Sequence, residues 1–116
     1  MRIFVPDRGL DTELPGLVPG MEFDNLDPLL HNELRLKVMV ALDSLGDADF
    51  IFLKDLTKAS SGNLSVQIST LEKAGYIRVA RFGRGRGSSA VCQITTTGIR
   101  ALQAYQRALM GYFTHK

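Results

Sequence analysis

Ser60-Ser61-Gly62-Asn63-Leu64-Ser65-Val66-Gln67-Ile68-Ser69-Thr70-Leu71-Glu72-Lys73-Ala74-Gly75-Tyr76-Ile77 is the stretch from which the architecture follows. Ser60-Ser61-Gly62 reads as a turn with N-cap chemistry, because serine oxygens accept from the free amides of a helix start. A helix is expected from there to about Ala74, stopped by Gly75, a natural residue just past a helix end. Leu64, Ile68 and Leu71 fall at i, i+4 and i+7 and form one apolar stripe. Gly62, Asn63, Val66, Ser69, Thr70 and Lys73 lie on the far side, with Ser65 and Gln67 on the flanks. Tyr76 to Phe82 is rich in strand formers, with Tyr76, Arg78, Ala80 and Phe82 alternating with Ile77, Val79 and Arg81. The turn Gly83-Arg84-Gly85-Arg86-Gly87 then leads to Ala90-Val91-Cys92-Gln93-Ile94, and two strands around a glycine-rich loop make a β-hairpin.

Upstream, Asp27-Pro28 reads as a helix start, with Asp as N-cap and Pro in the first turn. Leu30, Leu34, Val38, Ala41 and Leu45 form a stripe that Leu36, Met39, Val40 and Leu42 broaden around most of the helix. Such a helix is covered on more than one side. Gly46 and Asp47 end it. Phe50-Ile51-Phe52-Leu53 reads as a short strand before a one- to two-turn helix, although periodicity alone does not separate the two. Downstream, Thr95 is the expected N-cap of a last helix from about Thr96 to Tyr112, striped by Ile99, Leu102, Tyr105, Leu109 and Phe113. Residues 1–26 hold three prolines among scattered apolar residues and read as an extended arm packed on the body or on a second subunit.

Helix, short strand or turn, two helices joined by a tight turn, hairpin and helix make a winged helix-turn-helix. The expected fold class is therefore α+β, mostly α, with a three-helix core, a hairpin wing, a long C-terminal helix and an N-terminal arm. The expected division is an arm at 1–26, a winged-helix domain at 27–95 and a dimerisation helix at 96–116.

A chain of 116 residues suits one domain, and 45% hydrophobic content is enough for a true core. No apolar run reaches the ~20 residues that a membrane-spanning helix needs. No signal-peptide pattern is present at the start. A single cysteine, Cys92, excludes an internal disulfide and a cysteine-rich metal site, and a cytoplasmic location is expected. The charge is unevenly spread. Residues 1–49 carry four Lys/Arg against ten Asp/Glu, a net of −6, while residues 50–116 carry ten against two, a net of +8. A cationic face with a polyanionic partner is the natural expectation.

Nothing marks an enzyme. His31 and His115 stand far apart without metal-ligand spacing. Cys92 alternates within a strand as a small hydrophobe would. No serine sits in a nucleophile elbow. No catalytic residue, metal or cofactor is expected.

Arg35-Leu36-Lys37-Val38-Met39, Gly62-Asn63-Leu64-Ser65, Leu71-Glu72-Lys73-Ala74-Gly75-Tyr76-Ile77 and Ile94-Thr95-Thr96-Thr97-Gly98 together resemble the winged-helix regulators of the MarR and ArsR type. The resemblance spans about Leu26 to Leu109. It implies a cytoplasmic transcriptional regulator that binds DNA as a homodimer. The chain departs from metal-sensing ArsR members, since it lacks their paired cysteines and histidine clusters.

A recognition helix must bring short hydrogen-bonding side chains to base edges. Asn63, Ser65, Gln67, Ser69 and Thr70 suit that task, and Val66 suits a thymine methyl. Ser60 and Ser61, with the free amides of the helix start, suit a phosphate, and Lys73 suits the backbone. Arg84 and Arg86 can enter a narrow minor groove or clamp phosphates, with Arg78 and Arg81 extending the strip. The expected dimer face holds Leu30, Leu102, Tyr105, Leu109, Tyr112 and Phe113. A two-fold dimer would set two recognition helices roughly 34 Å apart. Double-stranded DNA and a second copy are thus the expected partners, no membrane is expected, and a small-molecule effector remains open. The alternatives are a winged-helix module for an acidic protein partner, or a protein that binds nucleic acid without sequence preference.

Overall fold

The computed structural model describes residues 25–83 and 89–114. Residues 1–24, where most of the expected arm falls, 84–88 with Arg84 and Arg86, and 115–116 with His115 lie outside the described residues. The order is α1 (Glu33–Leu45), β1 (Asp47–Asp49), α2 (Phe50–Thr57), α3 (Ser61–Lys73), β2 (Ile77–Phe82), β3 (Ser89–Ile94) and α4 (Thr96–Thr114). This is the winged helix-turn-helix expected from the sequence: mostly helical, with one small antiparallel sheet.

The first helix begins later than Asp27. That aspartate does cap a turn, its Oδ1 accepting from the Leu29 amide at 2.9 Å and its carbonyl from Leu30 and His31. Asn32 then starts the helix proper, in extended backbone, with Oδ1 accepting from the Arg35 amide at 2.9 Å. Glu33 in the first turn complements the helix dipole. Val38, Met39 and Leu42 face the core, whereas Val40 and Leu45 are exposed, so the stripe is narrower than the sequence suggests. Gly46 closes the helix at φ 86, a left-handed backbone that favours glycine.

The short strand also lies elsewhere than expected. Asp47–Asp49 is the strand, pairing Ala48 with Cys92 of β3. Asp49 caps α2 by accepting from the Phe52 amide at 2.8 Å, so Phe50-Ile51-Phe52-Leu53 winds into helix. The sheet order is β1-β3-β2. In β2, Ile77 and Val79 pair with Ile94 and Cys92 on the inner face. The core joins Leu30, Val38, Met39 and Leu42 to Leu53, Leu64, Leu71 and Cys92, all fully buried. Truncating any of these leucines to Ala would cost about 2–5 kcal/mol.

The end of α3 is locked to the start of α4. Gly75, at φ 81, donates to Glu72, and Tyr76 donates to Leu71, the paired bonds of a Schellman cap. The Tyr76 carbonyl then accepts from the Thr95 amide at 3.0 Å, and Thr95 Oγ1 donates to the Gly75 carbonyl at 2.6 Å. Thr95 also caps α4, accepting from the Gly98 amide at 3.0 Å. Gly98 packs so closely that a Cβ there would fall on the Tyr76 carbonyl oxygen. From the same residue, the Tyr76 hydroxyl donates to Asp27 Oδ2 at 2.5 Å.

Candidate nucleic-acid interface

Helix α3 is anchored by Leu64, Ile68 and Leu71, and this fixes which of its faces is open. Ser60 is its N-cap, with Oγ accepting from the Asn63 amide at 3.1 Å. Ser60, Ser61, Asn63, Ser65 and Lys73 are exposed, and Val66 is 60% exposed. Gln67, Ser69 and Thr70 are half-buried on the flanks of this ridge. The Thr70 hydroxyl donates to the Val66 carbonyl at 3.0 Å, which leaves its oxygen able to accept.

A polar chain crosses from α1 to this ridge. Arg35 Nε donates to the Leu29 carbonyl at 2.6 Å, and its Nη1 donates to Gln67 Oε1 at 2.5 Å. Gln67 Nε2 in turn donates to Asn63 Oδ1 at 3.1 Å. The amide oxygen of Gln67 is thus committed inside the protein, and among the described residues nothing takes up the Asn63 amide NH₂. Sequence reasoning placed Arg35 only as part of a resemblance. Its i+32 partner gave no local signal. A polar cleft of about 380 Å³, lined by Asn32, Glu33, Leu34, Lys37, Thr57, Ala59, Asn63 and Gln67, opens beside the chain.

The two wing arginines among the described residues separate. Arg78 pairs across the sheet with Gln93, Nη1 to Oε1 at 3.2 Å, on the outer face. Arg81 has the opposite parity and reaches Glu72 on α3. They do not form one strip, because residues three apart on a strand point to opposite sides. The hydrogen bond from Arg81 holds the Glu72 carboxyl below its ordinary value, and Glu72 raises Arg81. Glu72 went unmarked in the sequence beyond its place in the family-like run.

Of the expected dimer residues, Leu30 is fully buried and Tyr105 is only 6% exposed within one chain. The Tyr105 hydroxyl sits 2.9 Å from His31 Nδ1. Both side chains therefore serve the protomer's own core. Leu102 and Leu109 are half-buried, Tyr112 is exposed, and Phe113 is 78% exposed. An open apolar groove of about 500 Å³ runs between α1 and α2, lined by Leu36, Val40, Ala41 and Leu56 with Glu33, Lys37 and Thr57. A second, of about 330 Å³, lies between α1 and α4, and Leu36 and Val40 line both.

Among the described residues, no group of three or more His, Cys, Asp or Glu could hold a metal, and no helix is long and apolar enough to cross a membrane. Burial pushes the Cys92 thiol up to about 11, so it is an unreactive core group at neutral pH.

The model of the family described as winged helix DNA-binding domain matches residues 34–113. No curated protein sequence matches the chain. Solved structures do. The transcriptional regulator homologue protein from Pyrococcus horikoshii OT3 shares 25% identity, with 73% of this chain and 84% of that chain covered and a TM-score of 0.67. A mutant MarR from E. coli, complexed with operator DNA, shares 15% over 73% of this chain and 60% of its own, at a TM-score of 0.61. The transcriptional regulator BldR from Sulfolobus solfataricus shares 18% over 71% and 58%, at 0.59. The last two likenesses concern the fold.

Proposed function

The chain belongs to the winged helix DNA-binding domain family, and we propose that it is a sequence-specific regulator that docks α3 in the major groove of operator DNA as a homodimer. The observation that carries this is the open ridge of α3. Its apolar stripe is spent on the core, so short polar side chains from Ser60 to Thr70 stand outward beside Lys73. Among the described residues of that face, none is an aromatic or other bulky group that would hold the helix away from the groove floor. Asn63 is the leading base reader, because its NH₂ group has no partner among the described residues and its oxygen is steadied by Gln67. Val66 suits a thymine methyl, and Ser60 and Ser61 suit the phosphate at the helix entry. Arg84 and Arg86, flanked by glycines in the sequence, are the proposed minor-groove or phosphate contacts of the wing.

The second subunit is argued from self-complementarity. One chain carries both a protruding apolar helix end, with Met110 and Phe113, and open grooves lined by Leu36, Val40 and Leu56. A two-fold axis lets each copy supply both halves. It would space the recognition helices by about one DNA turn, roughly 34 Å. Selection from random duplex pools tests the proposal, followed by salt titrations on the winner and on a scrambled duplex. A specific regulator yields a near-palindromic winner and binds it at least about 10³-fold tighter than scrambled DNA. Equal affinities would leave only general nucleic-acid binding.

A further inference from the structure

We propose that Lys58 is a DNA-phosphate anchor, held at the turn between α2 and α3 by a backbone conformation that disfavours it. The inference rests on the DNA reading above. Lys58 is the one non-glycine residue at positive φ among the described residues, at φ 62 and ψ 20. Left-handed backbone suits glycine, and next asparagine or aspartate; a long side chain is strained there.

The geometry of the turn explains why the strain falls on this residue. Only Lys58, Ala59 and Ser60 link the two helices. Helix α2 ends firmly, with the Lys58 amide donating to the Lys54 carbonyl at 2.9 Å and the Thr57 hydroxyl donating to the Leu53 carbonyl at 2.8 Å. Ser60 is committed as the extended N-cap of α3, and Ala59 packs against the core. The reversal must therefore be made at position 58. Glycine would make it without strain, yet this chain places an exposed cation there.

No carboxylate among the described residues pairs with Lys58, whereas Lys37 and Arg81 each have one. Three Cα steps, at most about 11 Å, separate it from Ser61 at the groove-entering end of the ridge. A charge at that place meets the phosphate backbone when α3 enters the groove. The competing role is a charge that merely complements the α2 dipole at its C-terminal end. The two roles differ in sign. A dipole partner adds stability, while an anchor strained at φ 62 adds affinity at the expense of stability.

The test compares K58G, K58Q and K58R by thermal unfolding and by fluorescence-anisotropy salt titrations on the selected duplex and on a scrambled one. K58G is expected to melt at the wild-type temperature or up to roughly 4 °C higher. Both K58G and K58Q should bind the two duplexes more weakly by the same factor. Their log–log salt slopes should be shallower by about 0.9 per subunit. K58R should keep the wild-type slope. Wild-type affinity and slope in K58G, or a lower melting temperature for K58G, overturns the proposal. Failure of the wild-type protein to bind duplex DNA would instead sink the DNA reading, and this anchor with it.

Discussion

Arg81 on β2 is joined to Glu72 on α3 by two parallel contacts, Nη2 to Oε1 at 3.1 Å and Nη1 to Oε2 at 3.3 Å. This bidentate pair ties the wing strand to α3, and in the proposed complex it gives Arg81 a positioning role in place of a phosphate contact. The sign of one substitution separates these roles. Glu72→Gln removes a negative charge beside the proposed DNA face, which by simple electrostatics would tighten binding. Loss of positioning loosens it instead. We expect E72Q to bind the selected duplex more weakly with an unchanged salt slope; tighter binding by E72Q would mean that Arg81 works as a free cation.

The same pair predicts an acid effect. Arg81 holds the Glu72 carboxyl below its ordinary value of 4.5, so its contribution to stability is present above that pH. It is lost as pH falls through the lowered value. Unfolding free energies measured from pH 6 to pH 3 should fall less steeply for E72Q than for the wild type.

Tyr76 gives the opposite sign at alkaline pH. Burial, with help from its bond to Asp27, pushes the phenol up to about 12 from 10. The folded chain then keeps a proton that the unfolded chain releases. Stability from this group is complete below about pH 10 and declines as pH rises toward 12. Tyr76→Phe should cost about 1 kcal/mol at neutral pH and flatten that alkaline decline in denaturant titrations. An identical alkaline slope in Y76F would place the phenol outside the coupling.

Gly98 tests the joint between α3 and α4. Its Cα passes so near the Tyr76 carbonyl and Ile94 Cγ1 that no Cβ fits. Alanine usually favours a helix, yet here Gly98→Ala should destabilise by about 2–3 kcal/mol through overpacking. The midpoint of chemical unfolding reads this directly. A neutral or stabilising result would show that the start of α4 can shift away from Tyr76.

Phe113 tests the assembly. It is 78% exposed in the single chain, at the end of a helix whose inner face reaches the core through Tyr105. Phe113→Asp should convert a species of twice 12.8 kDa into one of 12.8 kDa in light scattering, with helix content kept. A wild-type chain that already runs as a monomer contradicts the two-fold assembly.

The fold was legible because its strongest local signals are cooperative. Leu64, Ile68 and Leu71 set the buried side of α3, Gly75 sets its end, and Thr95 sets the start of α4; each leaves a mark in the residues beside it. Asp27 and Phe50–Leu53 misled for the same local reason. An Asp-Pro pair is a good helix start, but Asn32 offers a competing cap five residues on. Four consecutive apolar residues look like a strand until Asp49 supplies a cap in front of them. The site was read less completely, since its organising contacts are distant in sequence. Arg35 to Gln67 and Arg81 to Glu72 come from helix packing and strand parity, neither of which a motif records. The strain at Lys58 follows only from the short turn between two firmly capped helices.

The central claim is that the α3 ridge reads base edges through the major groove, with Asn63 in the lead. It is met most directly by a protein–DNA double-mutant cycle, pairing wild type and Asn63→Ala with the selected duplex and with duplexes in which single adenines are replaced by 7-deazaadenine. That analogue removes the N7 acceptor from the major groove only. At one position per half-site, the account predicts that the analogue weakens wild-type binding by about 1–3 kcal/mol and that Asn63→Ala abolishes the difference. Full additivity at every adenine, with N63A losing equally on selected and scrambled DNA, would contradict it.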